Sequence, residues 1–255
     1  MMLTAPTILA LDFDGVICDG LIEYFQTTKR TYEQLWQDKP VPDGLEPSFY
    51  RLRPVIETGW EMPILLRALV LGVSEDEILQ HWSAVCQSIV QREALDAREI
   101  GSKLDRTRDR WIETDLDEWL KLHHFYPGVL DRIHKILEST GLYIVTTKEG
   151  RFVQQLLQQQ NLELADHHII GKESQRPKHQ TLREIIASAG DAQVWFVEDR
   201  LKTLQQVQQQ ADLQQVRLFL AAWGYNTAQA RNSVSELGIR LLTLEQFNQD
   251  FSAWI

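Results

Sequence analysis

Short apolar runs bounded by polar residues recur along the chain: TILAL at 7–11, GLYIVTT at 141–147, HHII at 167–170, AQVWFVED at 192–199, QVRLFLAA at 215–222 and IRLLT at 239–243. Runs of this length, with little polar alternation, predict strands buried on both faces. Between them, apolar residues return at three- and four-residue intervals. PGVLDRIHKILEST opens on Pro127 and is followed by Gly141, so that helix carries a start and a stop signal. GRFVQQLLQQQ and RLKTLQQVQQQAD put leucine and valine on one side and glutamine on the other. Their glutamine clusters read as solvated helix faces rather than low-complexity tracts.

Strand alternating with helix implies a parallel sheet covered by helices on both faces. The alternation is interrupted once. Between Asp19 and about Phe125 the pattern is helical: LIEYFQTTKRTYEQLW, WEMPILLRALVLG, SEDEILQHWSAVCQSIVQREAL with a capping box at Ser74 and Glu77, and DRTRDRWIETDLDEWLKLHH. The expectation is an α/β core of residues 1–18 and 126–255, with an all-helical domain, 19–125, inserted after the first strand. Trp36, Trp60, Trp82, Trp111 and Trp119 fall in the insertion, and most are expected in its core.

Charge narrows the function. The net charge of −10, from 26 basic and 36 acidic side chains, disfavours nucleic-acid binding, which needs a basic surface. A small anionic substrate needs only a local positive site and stays open. Two cysteines, Cys18 and Cys86, make no disulfide framework and point to a reducing compartment. The first residues have no basic n-region, and the most apolar window, MPILLRALVLGV, contains Arg67 and is too short to span a bilayer. A cytoplasmic protein without a membrane partner is expected; oligomeric state is left open.

Two Asp-x-Asp pairs stand out: Asp12 and Asp14 in LDFDG, and Asp115 and Asp117 in TDLDEWL. Composition alone gives about one such match, so the pattern decides nothing by itself. Position separates them. Asp12 and Asp14 follow a strand and precede Gly15, where open α/β sheets bind ligands. Asp115 and Asp117 sit in a charged helix and read as a solvated face.

Three further strand or helix ends carry polar groups: Thr146 and Thr147 after LYIV, Lys178 before the helix HQTLREIIASAG, and Glu198 and Asp199 after VWFV. In this order, with DFDGV first, they resemble the four motifs of the haloacid dehalogenase superfamily, in its phosphatase branch with a helical cap. FYPGVLDRIHKILESTGLYIVTTK is similar to that family's lead into its second motif, and AAWGYNTAQA to a segment of its phosphoglycolate-phosphatase-like members.

The resemblance implies a Rossmann-like core and a Mg²⁺-dependent phosphatase acting on a small phosphorylated metabolite. Asp12 would be the nucleophile that forms an aspartyl-phosphate, and Asp14 the acid and base. Asp12, the Asp14 backbone carbonyl and Asp199 would hold Mg²⁺. Lys178 would supply fixed positive charge, and Thr146 would hold phosphate oxygens. Thr147 and Lys148 are secondary candidates for substrate contact. An acid at position 14 favours phosphate-ester chemistry over dehalogenation. The chain departs from the pattern at its fourth motif: Glu198 replaces the usual glycine, and Thr203 stands where a later acid is common. Glu198 is a candidate for a supporting metal role. Lys172 competes with Lys178 for the third motif, but spacing and the helix start favour Lys178.

In the insertion, FYRLRPVIETGWE groups Arg51, Arg53, Glu57 and Glu61 in a stretch marked by proline and glycine. Arg53 is the candidate substrate contact there, against a surface ion-pair loop as the plain alternative. His123–His124 and His167–His168 lack zinc-ligand spacing with the cysteines. Cys18 has no evident base partner and reads as a small buried residue. The competing functions are a phosphomutase of the same fold and a binding or regulatory protein that retains the fold without turnover.

Overall fold

The computed structural model describes residues 5–190 and 192–255. The chain divides into two compact units: residues up to Asp19 together with His124–Ile255, and Gly20–His123.

The first unit begins with β1 (Ile8–Leu11), all four residues buried, and a two-residue strand β2 (Cys18–Asp19). The second unit follows, with helices α1 (Leu21–Leu35), α2 (Glu46–Leu52), α3 (Glu61–Val70), α4 (Glu75–Arg92), α5 (Ala97–Thr114) and α6 (Leu116–Leu120). The chain re-enters the first unit at β3 (His124–Phe125), which pairs antiparallel with β2. It continues through α7 (Val129–Leu137), β4 (Gly141–Val145), α8 (Gly150–Gln158), β5 (Ile169–Ile170), α9 (Lys178–Ala189), β6 (Val194–Glu198), α10 (Leu201–Gln208), β7 (Arg217–Ala221), α11 (Ala228–Ser233), β8 (Arg240–Leu242) and α12 (Leu244–Phe247).

Six strands form one parallel sheet in the order β5-β4-β1-β6-β7-β8. From β1 the chain steps outward through β4 to β5. It then returns to the far side of β1 with β6 and moves outward the other way. The direction reverses between β1 and β6, so a crevice opens outside their carboxyl ends, the place where such sheets bind ligands. One face buries Ala10, Phe196, Leu218 and Leu220 against Leu182 and Ile185 of α9 and Leu204 and Val207 of α10. On the other, Trp195 and Phe219 pack against Phe251 and Trp254 near the chain end. Among the described residues, no helix is long and apolar enough to cross a membrane.

In the helical unit four of the five tryptophans are buried, and each donates its Nε1–H to a glutamate: Trp36 to Glu93 at 2.6 Å, Trp82 to Glu61 at 2.7 Å, Trp111 to Glu118 at 3.1 Å and Trp119 to Glu23 at 3.1 Å. A buried indole needs an acceptor for its one polar group, and glutamate supplies it. Trp60 is the half-buried exception.

Several sequence expectations are corrected here. FYRLRPVIETGWE is not all loop: Phe49–Leu52 ends α2, and Arg53–Val55 adds a 3-10 turn. Its one proline, Pro54, sits at the start of that turn, where a missing N–H costs nothing. DRTRDRWIETDLDEWLKLHH is not one helix. It breaks at Asp115 (φ −155°), whose carboxylate accepts from the Glu118 N–H at 2.9 Å. Asp115 is therefore a helix cap, which is why an aspartate interrupts the pattern there. HHII supplies only two strand residues, because His167 and His168 belong to a 3-10 turn. At Ser74 the hydroxyl accepts from the Glu77 N–H at 3.3 Å.

Candidate active site

The crevice is built from strand ends. β1 stops at Leu11, but the Asp12 N–H still donates to the Val197 carbonyl at 2.9 Å, so Asp12 is held as a continuation of the ladder to β6. The chain then turns sharply: the Phe13 carbonyl accepts from the N–H groups of both Ile17 and Cys18 at 2.9 Å, and Gly15 takes φ +84°. That φ is the first reason for glycine at 15. The second is space, since a Cβ there would lie 2.1 Å from Asp199 Oδ2.

At the end of β6, Glu198 and Asp199 are both buried. Glu198 Oε1 accepts from the N–H groups of Asp199 and Arg200, each at 3.0 Å, and Oε2 accepts from Lys178 Nζ at 2.7 Å. Lys178 is the first residue of α9, and its Nζ also lies 2.8 Å from Asp12 Oδ2. The second Asp12 oxygen accepts from the Phe13 N–H at 2.7 Å. One ammonium thus bridges the acids that end β1 and β6, the two strands at the topological switch.

Asp12, Glu198 and Asp199 each bring a carboxylate oxygen within 4.8 Å of the others. Burial, and then the charge of Glu198, push the Asp12 carboxyl up to about 7, although Lys178 opposes them. Burial also raises Glu198 against the pull of Lys178. Lys178 is raised too: burial works against its charge, but Asp12 and Glu198 outweigh it. Burial leads the shifts of the two acids, and their negative charge drives the shift of the lysine. The cluster has more negative charge than its single lysine balances. A hard cation with oxygen ligands would remove that imbalance, and the donor set suits Mg²⁺.

The segment after β7 supports both sides of the crevice. Trp223 Nε1–H donates to the Val16 carbonyl at 3.1 Å, and the Tyr225 N–H donates to Asp199 Oδ2 at 2.7 Å. The Tyr225 hydroxyl donates to Asp19 Oδ1 at 2.8 Å. Asn226 Nδ2 reaches the Asp199 carbonyl at 3.1 Å. Gly224 fits between these groups; a Cβ there would meet the Gly15 carbonyl at 2.4 Å.

After β4, Thr146 is buried, and its hydroxyl accepts from the Lys148 N–H at 3.1 Å. Lys148 Nζ reaches both oxygens of Asp14, at 3.2 and 3.4 Å. The structure thus joins Asp12, Lys178, Glu198 and Asp199 in one cluster and ties Asp14 to the loop carrying Thr146. Thr147 is exposed on that loop. Arg53 lies in the helical unit, where it donates to the Ile56 carbonyl at 3.3 Å and lies over the Tyr24 ring. Arg51 pairs with Glu75 at 2.5 Å on the surface. The contacts of Lys148 and of the Trp223–Asn226 segment have no local sequence signal, because their partners lie far away in the chain.

No protein-family model and no curated protein matches the chain. Solved structures do. A predicted phosphatase from Clostridium acetobutylicum superposes with a TM-score of 0.60 at 13% identity, covering 95% of this chain and 96% of that one. A haloacid dehalogenase-like hydrolase from Streptococcus pneumoniae gives 0.57 at 15% identity, covering 95% of each. A predicted phosphoglycolate phosphatase from Haemophilus somnus gives 0.57 at 16% identity, covering 99% and 97%. The chain has the fold of the haloacid dehalogenase-like hydrolases.

Proposed function

We propose that this chain is a Mg²⁺-dependent phosphatase acting on a small phosphorylated metabolite, with Asp12 as nucleophile. One observation carries the reading: three buried carboxylates and a lysine converge at the switch point of the sheet, with a second aspartate two residues beyond the first. The neighbours' names support the same class.

Asp12, Asp199 and the backbone carbonyl of Asp14 would hold Mg²⁺, with Glu198 supporting the site through Lys178 and the Asp199 N–H. When bound, the ion supplies positive charge that lets an anionic phosphate approach anionic ligands. Lys178 keeps Asp12 oriented and charged for attack on phosphorus. The bond from Asp12 to phosphorus forms as the bond to the leaving oxygen breaks. Asp14 gives that oxygen a proton, then takes one from the water that hydrolyses the aspartyl-phosphate. Lys148, on both oxygens of Asp14, fixes where that proton is delivered. Thr146 and Lys178 bind phosphate oxygens, with Thr147 at the rim. The helical insertion is assigned the role of a cap that selects the substrate, with Arg53 as its contact. The cytoplasm is the proposed compartment, a reading supported by two free, buried cysteines.

The test is a panel of phosphorylated metabolites, plus an aryl phosphate, with the purified chain. Hydrolysis with Mg²⁺ that stops in EDTA is expected. Inactivity across the panel would overturn the reading and favour a binding protein; turnover indifferent to chelation would overturn its Mg²⁺ dependence.

A further inference from the structure

β4 and β5 are register neighbours, Ile144 with Ile169 and Val145 with Ile170, so the loops that leave them run side by side. The first loop carries Thr146 and Lys148 and enters α8 at Gly150. The second passes through a 3-10 turn, Lys172–Ser174, and ends at Lys178. Two glycines let the loops touch. A Cβ at Gly171 would lie 2.4 Å from the Gly150 nitrogen and 2.7 Å from the Lys148 carbonyl oxygen, and one at Gly150 would lie 2.5 Å from Glu173 Oε1.

The backbone of Lys148 is gripped on both sides. Its N–H donates to the Thr146 hydroxyl at 3.1 Å, and its carbonyl accepts from the Lys172 N–H at 2.9 Å. Two residues on, the Gly150 N–H donates to Glu173 Oε2 at 3.1 Å. Gly150 opens α8, and its amide is one that the helix itself cannot satisfy. Glu149, just before it, makes no side-chain cap bond and pairs with Arg151 instead. The acceptor therefore comes from the neighbouring loop, as a carboxylate at the positive end of the helix. That loop is tied at its other end too, because Lys178 bridges Asp12 and Glu198. Between the two ties Gln175 is held in left-handed backbone, φ +51°, a conformation that persists in a residue with a side chain only where the surroundings impose it.

We propose that Glu173 is a positioning residue for the reaction at the crevice. With its neighbour Lys172 it fixes the backbone of Lys148, and Lys148 Nζ in turn fixes the carboxyl of Asp14. Glu173 thus acts through Lys148, on protonation of the leaving oxygen rather than on attack at phosphorus. The inference rests on the phosphatase reading, with Asp14 as acid and base. Loss of Glu173 then falls on poor leaving groups, which need the proton, and spares good ones, which depart without it.

Steady-state kinetics of the full chain with Mg²⁺ test it on phenyl phosphate and p-nitrophenyl phosphate, which share the transferred group and differ in leaving group. Glu173→Ala, at an exposed position, should lower kcat for phenyl phosphate about tenfold with KM nearly unchanged. For p-nitrophenyl phosphate, whose leaving group needs little protonation, the loss should stay below about twofold. Glu173→Gln keeps an acceptor for the Gly150 N–H and should recover most of the rate. In a Lys148→Ala background Glu173→Ala should remove nothing further, because its effect passes through Lys148. Equal losses on the two substrates, no recovery with glutamine, or additive losses in the double variant would overturn the proposal. The carboxyl carbon resonance of Asp14 in the metal-free chain reads the same link without turnover. It should move in Glu173→Ala and stay in Glu173→Gln; a resonance unmoved in Glu173→Ala would overturn the proposal. Wild type inert on both substrates, with the resonance still moving, would overturn the phosphatase reading and the role in protonation, while the hold of Glu173 on Asp14 stands.

Discussion

Both units bury carboxylates, but they treat them in opposite ways. In the helical unit Glu23 is fully buried and accepts from Thr27, Arg108 and Trp119. Glu61 accepts from Trp82, from the Thr58 hydroxyl and from two backbone N–H groups. Glu93 accepts from Arg67 and Trp36. Each is isolated from the others and surrounded by donors. In the α/β unit, Asp12, Glu198 and Asp199 converge, and one lysine serves two of them. A buried acid is therefore not by itself a sign of chemistry. Convergence of several carboxylates on one balancing lysine is, because such a cluster gains from a cation and an isolated carboxylate with its own donors does not.

Substitutions can break this contrast. Asp12→Asn should lower turnover of an aryl phosphate at least ~10³-fold. Without metal the same variant should melt no lower than wild type, since one of three repelling charges is gone; a large drop in melting temperature would show that Asp12 is structural. Glu23→Ala should do the reverse. It strands Arg108 and the Trp119 N–H, costing about 3 kcal/mol in urea denaturation. Gly15→Ala should push Asp199 aside and reduce turnover about 100-fold, with weaker Mg²⁺ activation. The smallest effect sharpens the comparison through pH. Burial raises the Glu93 carboxyl, but hydrogen bonds from Arg67 and Trp36 outweigh it and leave the pKa below the usual range. Its stabilisation is then complete above the unfolded value near about 4.3 and is lost as pH falls through the lower folded value. Glu93→Gln should cost about 1 kcal/mol at pH 7, and its gap to wild type should close in acid.

The strands of the large sheet were legible because each lies in a short apolar run, and β1, β4, β6 and β8 are ended by a polar group. The acids at 12, 198 and 199 were legible for the same reason: a strand end marks them. Local pattern failed where a residue answers to a distant partner. Lys148 was legible as a candidate for substrate contact but not as the partner of Asp14, which lies 134 positions away. The need for glycine at 15 and 224 comes from the bulk of Asp199, which neither local stretch contains. Pro54 and Gly59 marked a loop where the chain starts new helical turns instead. At Asp115 the helical pattern ran straight through a cap, because hydrophobic spacing resumes in phase on the far side.

The central position of β1 has a consequence for how the chain is made. β1 precedes every other strand of its sheet in the chain, yet its neighbours begin only at Gly141 and Val194. The helical unit is complete before either exists, so it is free to fold first while the oldest strand waits. The donor to Asp199, the Tyr225 N–H, is later still. A nascent chain thus carries Asp12 long before the acid cluster around it can be held in place, since the last of those supports lies more than two hundred residues further on.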